Sequence, residues 1–104
     1  MIEELFDAVE KHTQVSKEQL KSKKRQRDLV FARMYFAFIL RNYTNYTLFK
    51  IGKILCKDHS TILHYLNAIE DMIACEKITN KHSMTEITIN KILTELETIN
   101  ESNN

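Results

Sequence analysis

Apolar residues recur at helical spacing along nearly the whole chain. Ile2, Leu5, Phe6 and Val9 stand three and four positions apart, the pattern of a helix with one buried stripe, and predict a helix over residues 2–12. Thr13 and Gln14 interrupt it. Ser16-Lys17-Glu18-Gln19 forms a capping box, in which the hydroxyl and the Gln19 side chain satisfy free helix-end amides, so a short helix through Leu20 follows. Over residues 26–41 apolar side chains cover most of the helical circumference, which predicts a central helix with neighbours on several sides. Residues 43–46 read as a turn. Thr47 caps a helix over 48–55 that has Leu48, Ile51 and Leu55 on one face. Cys56-Lys57 leaves only a tight connection before Asp58, which caps a helix reaching about Ala74. There Ile62, Leu66, Ile69 and Ile73 lie on one side, with Ser60, His64, Asn67 and Asp71 opposite. Residues 76–82 read as a polar loop and Ser83-Met84-Thr85-Glu86 as a second capping box. A last helix carries Ile89, Ile92, Leu93, Leu96 and Ile99, followed by a polar tail over about 100–104.

Composition supports this all-α reading. With one glycine, Gly52, and no proline in 104 residues, the chain lacks the positive-φ turn residues on which β-hairpins depend. A Walker A phosphate loop needs at least two glycines, so a P-loop nucleotide motor is excluded within this sequence. An apolar fraction of 43% suits one modest core, hence a single domain over 1–104. Cys56 and Cys75 make no disulfide framework. The start, with Glu3, Glu4 and Asp7, is not a basic secretory leader. The longest apolar stretch, 29–40, is broken by Arg33 and is too short for a bilayer, which takes about 20 residues. No membrane partner and a cytoplasmic location are expected.

The net charge of +1 is uninformative, but its distribution is not. Lys21, Lys23, Lys24, Arg25 and Arg27 crowd one window, and much of the acidic charge lies near the ends. A local basic field of this kind suits a polyanion whatever the total charge. Two helices joined tightly over 48–74 fit a helix-turn-helix, in which the start of the second helix enters the DNA major groove. Asp58, His59 and Ser60 are short polar groups at that start, while Ile62, Leu66 and Ile69 anchor the helix beneath. The partial positive charge at the helix start also suits phosphate. Gly52, on the first helix, allows close helix approach.

Leu48-Phe49-Lys50-Ile51-Gly52 and Lys57-Asp58-His59-Ser60-Thr61-Ile62-Leu63-His64, with Ser22-Lys23-Lys24-Arg25-Gln26-Arg27 and Ala32-Arg33 upstream, resemble the C-terminal DNA-binding domain of the bacterial chromosomal replication initiator DnaA. The resemblance covers about residues 2–99. It implies a multi-helix bundle containing a helix-turn-helix, related to the Trp-repressor-like fold. It implies Asp58, His59 and Ser60 as major-groove base readers and Arg25 as the minor-groove residue. Lys24, Arg33, Arg41, Thr47, Leu48, Thr61 and His64 are implied as phosphate contacts. The implied partner is double-stranded DNA carrying an asymmetric, partly A·T-rich initiator box. The implied role lies in replication initiation or its regulation, or in transcriptional control, within the nucleoid. No enzyme activity, cofactor, metal or small-molecule substrate is expected, and a full-length initiator or another copy would be the further partner.

The chain departs from the family pattern at several positions. Cys56 stands alone where the family usually has two residues, commonly Gly-Gly, so the turn is one residue shorter. Met34 replaces a commonly polar residue, and Phe49 stands where proline is common at a helix start. Ser60 replaces threonine and lacks the methyl that packs on a thymine methyl. The initiator's ATPase module and N-terminal interaction domain are missing, which fits a fragment or a stand-alone binder.

Other readings compete. Arg33 could be structural, paired with Asp28 or Glu70. Cys56, His59 and His64 could suggest zinc, but a fourth ligand is not evident. Cys56 with His59 as a nucleophile pair lacks an oxyanion site. A helical protein-interaction module, using the apolar face of the last helix, is the reading from another functional class.

Overall fold

The helix expected at the centre, α3 (Arg27–Tyr43), touches every other helix of the structure. Around it lie α1 (Ile2–Thr13), α2 (Lys17–Lys21), α4 (Leu48–Leu55), α5 (His59–Thr79) and α6 (Met84–Ser102). The computed structural model describes residues 1–80 and 82–102, without the side chains of 99–102. Among the described residues all regular structure is helical. The buried side chains of α3 include Leu29, Phe36, Ile39 and Leu40, and Phe36 meets Phe6 of α1 with ring centroids 4.5 Å apart. Met34 is part of this core.

Local chemistry sets the helix ends. The Ser16 hydroxyl accepts from the Gln19 amide at 3.2 Å, and the Gln19 side-chain oxygen accepts from the Ser16 amide at 2.8 Å, the reciprocal box read from the sequence. Thr47 Oγ1 accepts from the Lys50 amide at 3.2 Å and starts α4. That helix ends on Cys56 in the left-handed region, φ 57° and ψ 42°, and the Lys57 amide closes back onto the Gly52 carbonyl at 2.8 Å. A Cβ on Gly52 would lie 2.5 Å from the Lys57 carbonyl oxygen. The glycine is therefore required by the folded-back turn, rather than by the approach of two helices.

Three expectations near the C-terminus need correction. Helix α5 continues to Thr79, past Ala74 and into the segment expected to be a loop. The reason is tertiary. Glu76 accepts from the Ser83 hydroxyl at 2.7 Å, the Thr85 amide at 2.9 Å and the Thr85 hydroxyl at 2.7 Å, bonding the last turn of α5 to the first turn of α6. Of the second capping box, one arm is present: Ser83 Oγ accepts from the Glu86 amide at 3.1 Å, while the Glu86 carboxylate pairs with Lys77. Helix α6 runs to Ser102 where a tail was expected from Asn100. Lys81, Asn103, Asn104 and the Ile99 side chain lie outside the described residues. Ile89, Ile92 and Leu96 are buried as α6 packs on α1, α5 and α3. The apolar face of the last helix closes the domain's own core.

Candidate nucleic-acid interface

The second helix of the α4–α5 pair is anchored from below by Ile62, Tyr65, Leu66 and Ile69, all buried. Its start stands free of the core: Asp58, His59, Ser60 and His64 are exposed and Thr61 is half-buried. Asp58 organises this start. Its carboxylate accepts from the His59 amide at 2.9 Å and from the Ser60 hydroxyl at 2.7 Å. The Ser60 hydroxyl contributes most to holding the Asp58 carboxyl below its ordinary pKa, so it is ionised at neutral pH. The His59 ring stacks on Phe49 of α4, with centroids 4.2 Å apart and planes at 23°.

A groove of about 520 Å³ opens beside this helix start. Lys23 and Arg25 of the basic loop line one part of it, and Asp58, Thr61 and His64 another. The folding of the chain thus places the expected minor-groove arginine in one groove with Asp58, the first of the expected major-groove readers. Lys24 is exposed on the same loop. Arg41, Thr47 and Leu48 sit where α3 passes into α4. Arg41 Nη1 donates to the Tyr46 carbonyl at 3.2 Å, Thr47 is exposed, and Leu48 is half-buried against the core.

Arg33, expected as a backbone contact, borders the same groove but is buried, with its donors turned inward. It is 1% exposed. Its Nε donates to the Leu20 carbonyl at 2.8 Å and its Nη1 to the Lys24 carbonyl at 2.8 Å. Its Nη2 donates to the carbonyls of Gln19 at 3.0 Å and Ser22 at 2.9 Å. The structural reading was right in kind, but the partners are carbonyls, not Asp28 or Glu70. A guanidinium is suited to this because it carries five N–H donors in a planar fork. Lys57 helps from the turn: its ammonium donates to the Ser22 carbonyl at 2.5 Å. Burial, then the positive charge of Arg33, pushes the Lys57 pKa down. Together the two cations draw the loop's carbonyls inward, while Lys23, Lys24 and Arg25 remain exposed.

The scaffolding role of Lys57 and the Phe49–His59 stack were missed in the sequence. An arginine inside an apolar helix was the available signal for the buried carbonyl cage. The stack joins two residues separated by the turn, and no periodicity reports it. Among the described residues no three His, Cys, Asp or Glu side chains are grouped to hold a metal, and no helix is long and apolar enough to cross a membrane.

A short helix, a tight turn and an anchored second helix with an exposed polar start, flanked by a basic loop, define a helix-turn-helix domain of the DNA-binding class. The chain belongs to the family described as the bacterial DnaA protein helix-turn-helix, which matches residues 2–69. It is similar to the chromosomal replication initiator protein DnaA of Streptococcus equi subsp. zooepidemicus, 42% identical over 73 residues, 69% of this chain and 16% of that protein. The DnaA proteins of Streptococcus agalactiae and Bacteroides thetaiotaomicron are 40% identical over 74 residues and 31% over 77, covering 70% and 73% of this chain and 16% of each relative. The chain therefore spans about one sixth of the length of these relatives.

Proposed function

We propose that this domain binds double-stranded DNA sequence-specifically, at boxes of the initiator type, and has no ATPase activity of its own. The observation that carries the proposal is the shared groove, where Lys23 and Arg25 lie beside Asp58, Thr61 and His64. With the start of α5 in the major groove, Asp58, His59 and Ser60 face base edges, and Thr61 and His64 face phosphate. Arg25 then enters the adjacent minor groove, where narrow A·T-rich sequence concentrates negative potential. Lys24, Arg41, Thr47 and Leu48 contact the flanking backbone. Arg33 acts from inside, by shaping the loop that presents Arg25.

A domain that reads such boxes would serve replication initiation or its regulation, or transcriptional control, at the nucleoid. Its further partner would be a full-length initiator bound nearby or a second copy. The interaction-module reading loses its main support, because α6 has its apolar face buried. Selection from a random duplex library, followed by binding at graded salt, tests the proposal. A defined consensus whose affinity falls steeply with salt is expected, because phosphate contacts release counterions. Equal binding of consensus and scrambled duplexes contradicts it.

A further inference from the structure

We propose that Phe49 and Asp58 clamp the His59 ring from two sides, presenting its Nε2 to a base edge as a hydrogen-bond acceptor, with Phe49 as a positioning residue for base selection. The inference rests on the DNA-reading role proposed above, and it assigns chemistry to one side chain within it.

Phe49 is 64% exposed, so its ring adds little to the core. It lies instead on the His59 ring, across the turn, from the first turn of α4 to the first residue of α5. An aromatic pair in this geometry is favoured beyond its buried area. An exposed histidine would otherwise lose rotamer freedom on meeting a base; a ring already held avoids part of that cost.

The second side of the clamp fixes the proton. Asp58 Oδ1 lies 3.1 Å from His59 Nδ1. An ionised carboxylate can only accept, so in the neutral ring Nδ1 carries the hydrogen and Nε2 keeps its lone pair. In the major groove such an acceptor matches the exocyclic amino group of adenine or cytosine.

The test uses the full chain, its Phe49→Ala and Phe49→Tyr variants, and the duplex obtained by selection. In the free protein, ¹⁵N spectra should show the Nδ1–H tautomer at His59, and Phe49→Ala should abolish the ring-current shift of the His59 ring protons. With DNA, Phe49→Ala should lower discrimination at one position roughly three- to tenfold, the range set by the stacking energy. Phe49→Tyr should restore it, together with the small loss of thermal stability that removing the stack causes in Phe49→Ala. Replacing the adenine at that position with purine, or the cytosine with 2-pyrimidinone, removes the amino group and should cost the parent chain at least that factor. An Nε2–H tautomer, or a consensus that Phe49→Ala reads as sharply as the parent, overturns this inference alone. A selection without consensus overturns the DNA-reading role beneath it as well.

Discussion

The Lys57 ammonium donates to the Ser22 carbonyl across thirty-five residues of chain, at 2.5 Å. It fastens the turn of the helix-turn-helix to the basic loop. Replacing Lys57 with methionine removes the tie while keeping most of the aliphatic stem. The expected outcome is a small loss of stability, about 1 kcal/mol, faster amide exchange over residues 22–26, and weaker binding of every duplex. Exchange followed by mass spectrometry, with affinity measured in parallel, checks both effects.

Arg33 makes a sharper prediction. Arg33→Met leaves the carbonyls of Gln19, Leu20, Ser22 and Lys24 without their donors, and should cost on the order of 3–5 kcal/mol in urea unfolding. Arg33→Lys should also destabilise, because one ammonium cannot span four carbonyls in the geometry of a guanidinium. Unchanged stability, with a salt slope of binding reduced by about one, would instead restore Arg33 as a phosphate contact.

The turn contains two opposite cases. Gly52→Ala drives a Cβ to 2.5 Å from the Lys57 carbonyl oxygen. Backbone must shift to relieve it, at about 1–3 kcal/mol, and the angle of α5 should change with it. Cys56 is an exposed residue held at φ 57°. Cys56→Gly relieves that left-handed strain and should stabilise the domain by about 1 kcal/mol. Thermal denaturation of the two variants should therefore move in opposite directions.

Glu76 links stability to pH. The Thr85 amide, then the Ser83 and Thr85 hydroxyls, hold its carboxyl below the ordinary value of 4.5. A folded-state pKa lowered in this way adds stability that is fully present above the unfolded value and is lost as pH falls through the folded one. Parent and Glu76→Gln chains, unfolded by urea across that range, should differ most at neutral pH. The gap should close on acidification, and a gap that widened instead would contradict the assignment.

Much of the fold was legible because its signals are local. The box at Ser16 and Gln19, the cap at Thr47 and the buried stripe of Ile62, Leu66 and Ile69 follow from spacing alone. The end of α5 was not legible. Residues 76–79 bury no apolar stripe, since their one apolar side chain, Ile78, is exposed, and what keeps them helical is the bonding of Glu76 to Ser83 and Thr85, which only the folded chain brings together. For the candidate site, the exposed start of α5 and the basic window were readable from charge and position. The inward turn of Arg33 was not, since a guanidinium serves phosphates and carbonyls through the same donors, and burial decides between them. The Phe49–His59 stack likewise depends on how sharply the chain turns at Cys56.

The central claim is that the start of α5 reads bases while flanking basic residues such as Arg41 hold the backbone. It is tested most directly by the affinities of the parent, His59→Ala and Arg41→Ala chains for a selected duplex and its scrambled counterpart, at physiological salt. His59→Ala should cost about 1–3 kcal/mol on the selected duplex and little on the scrambled one, while Arg41→Ala weakens both about equally. A His59→Ala chain that discriminates the two duplexes as well as its parent would contradict the claim.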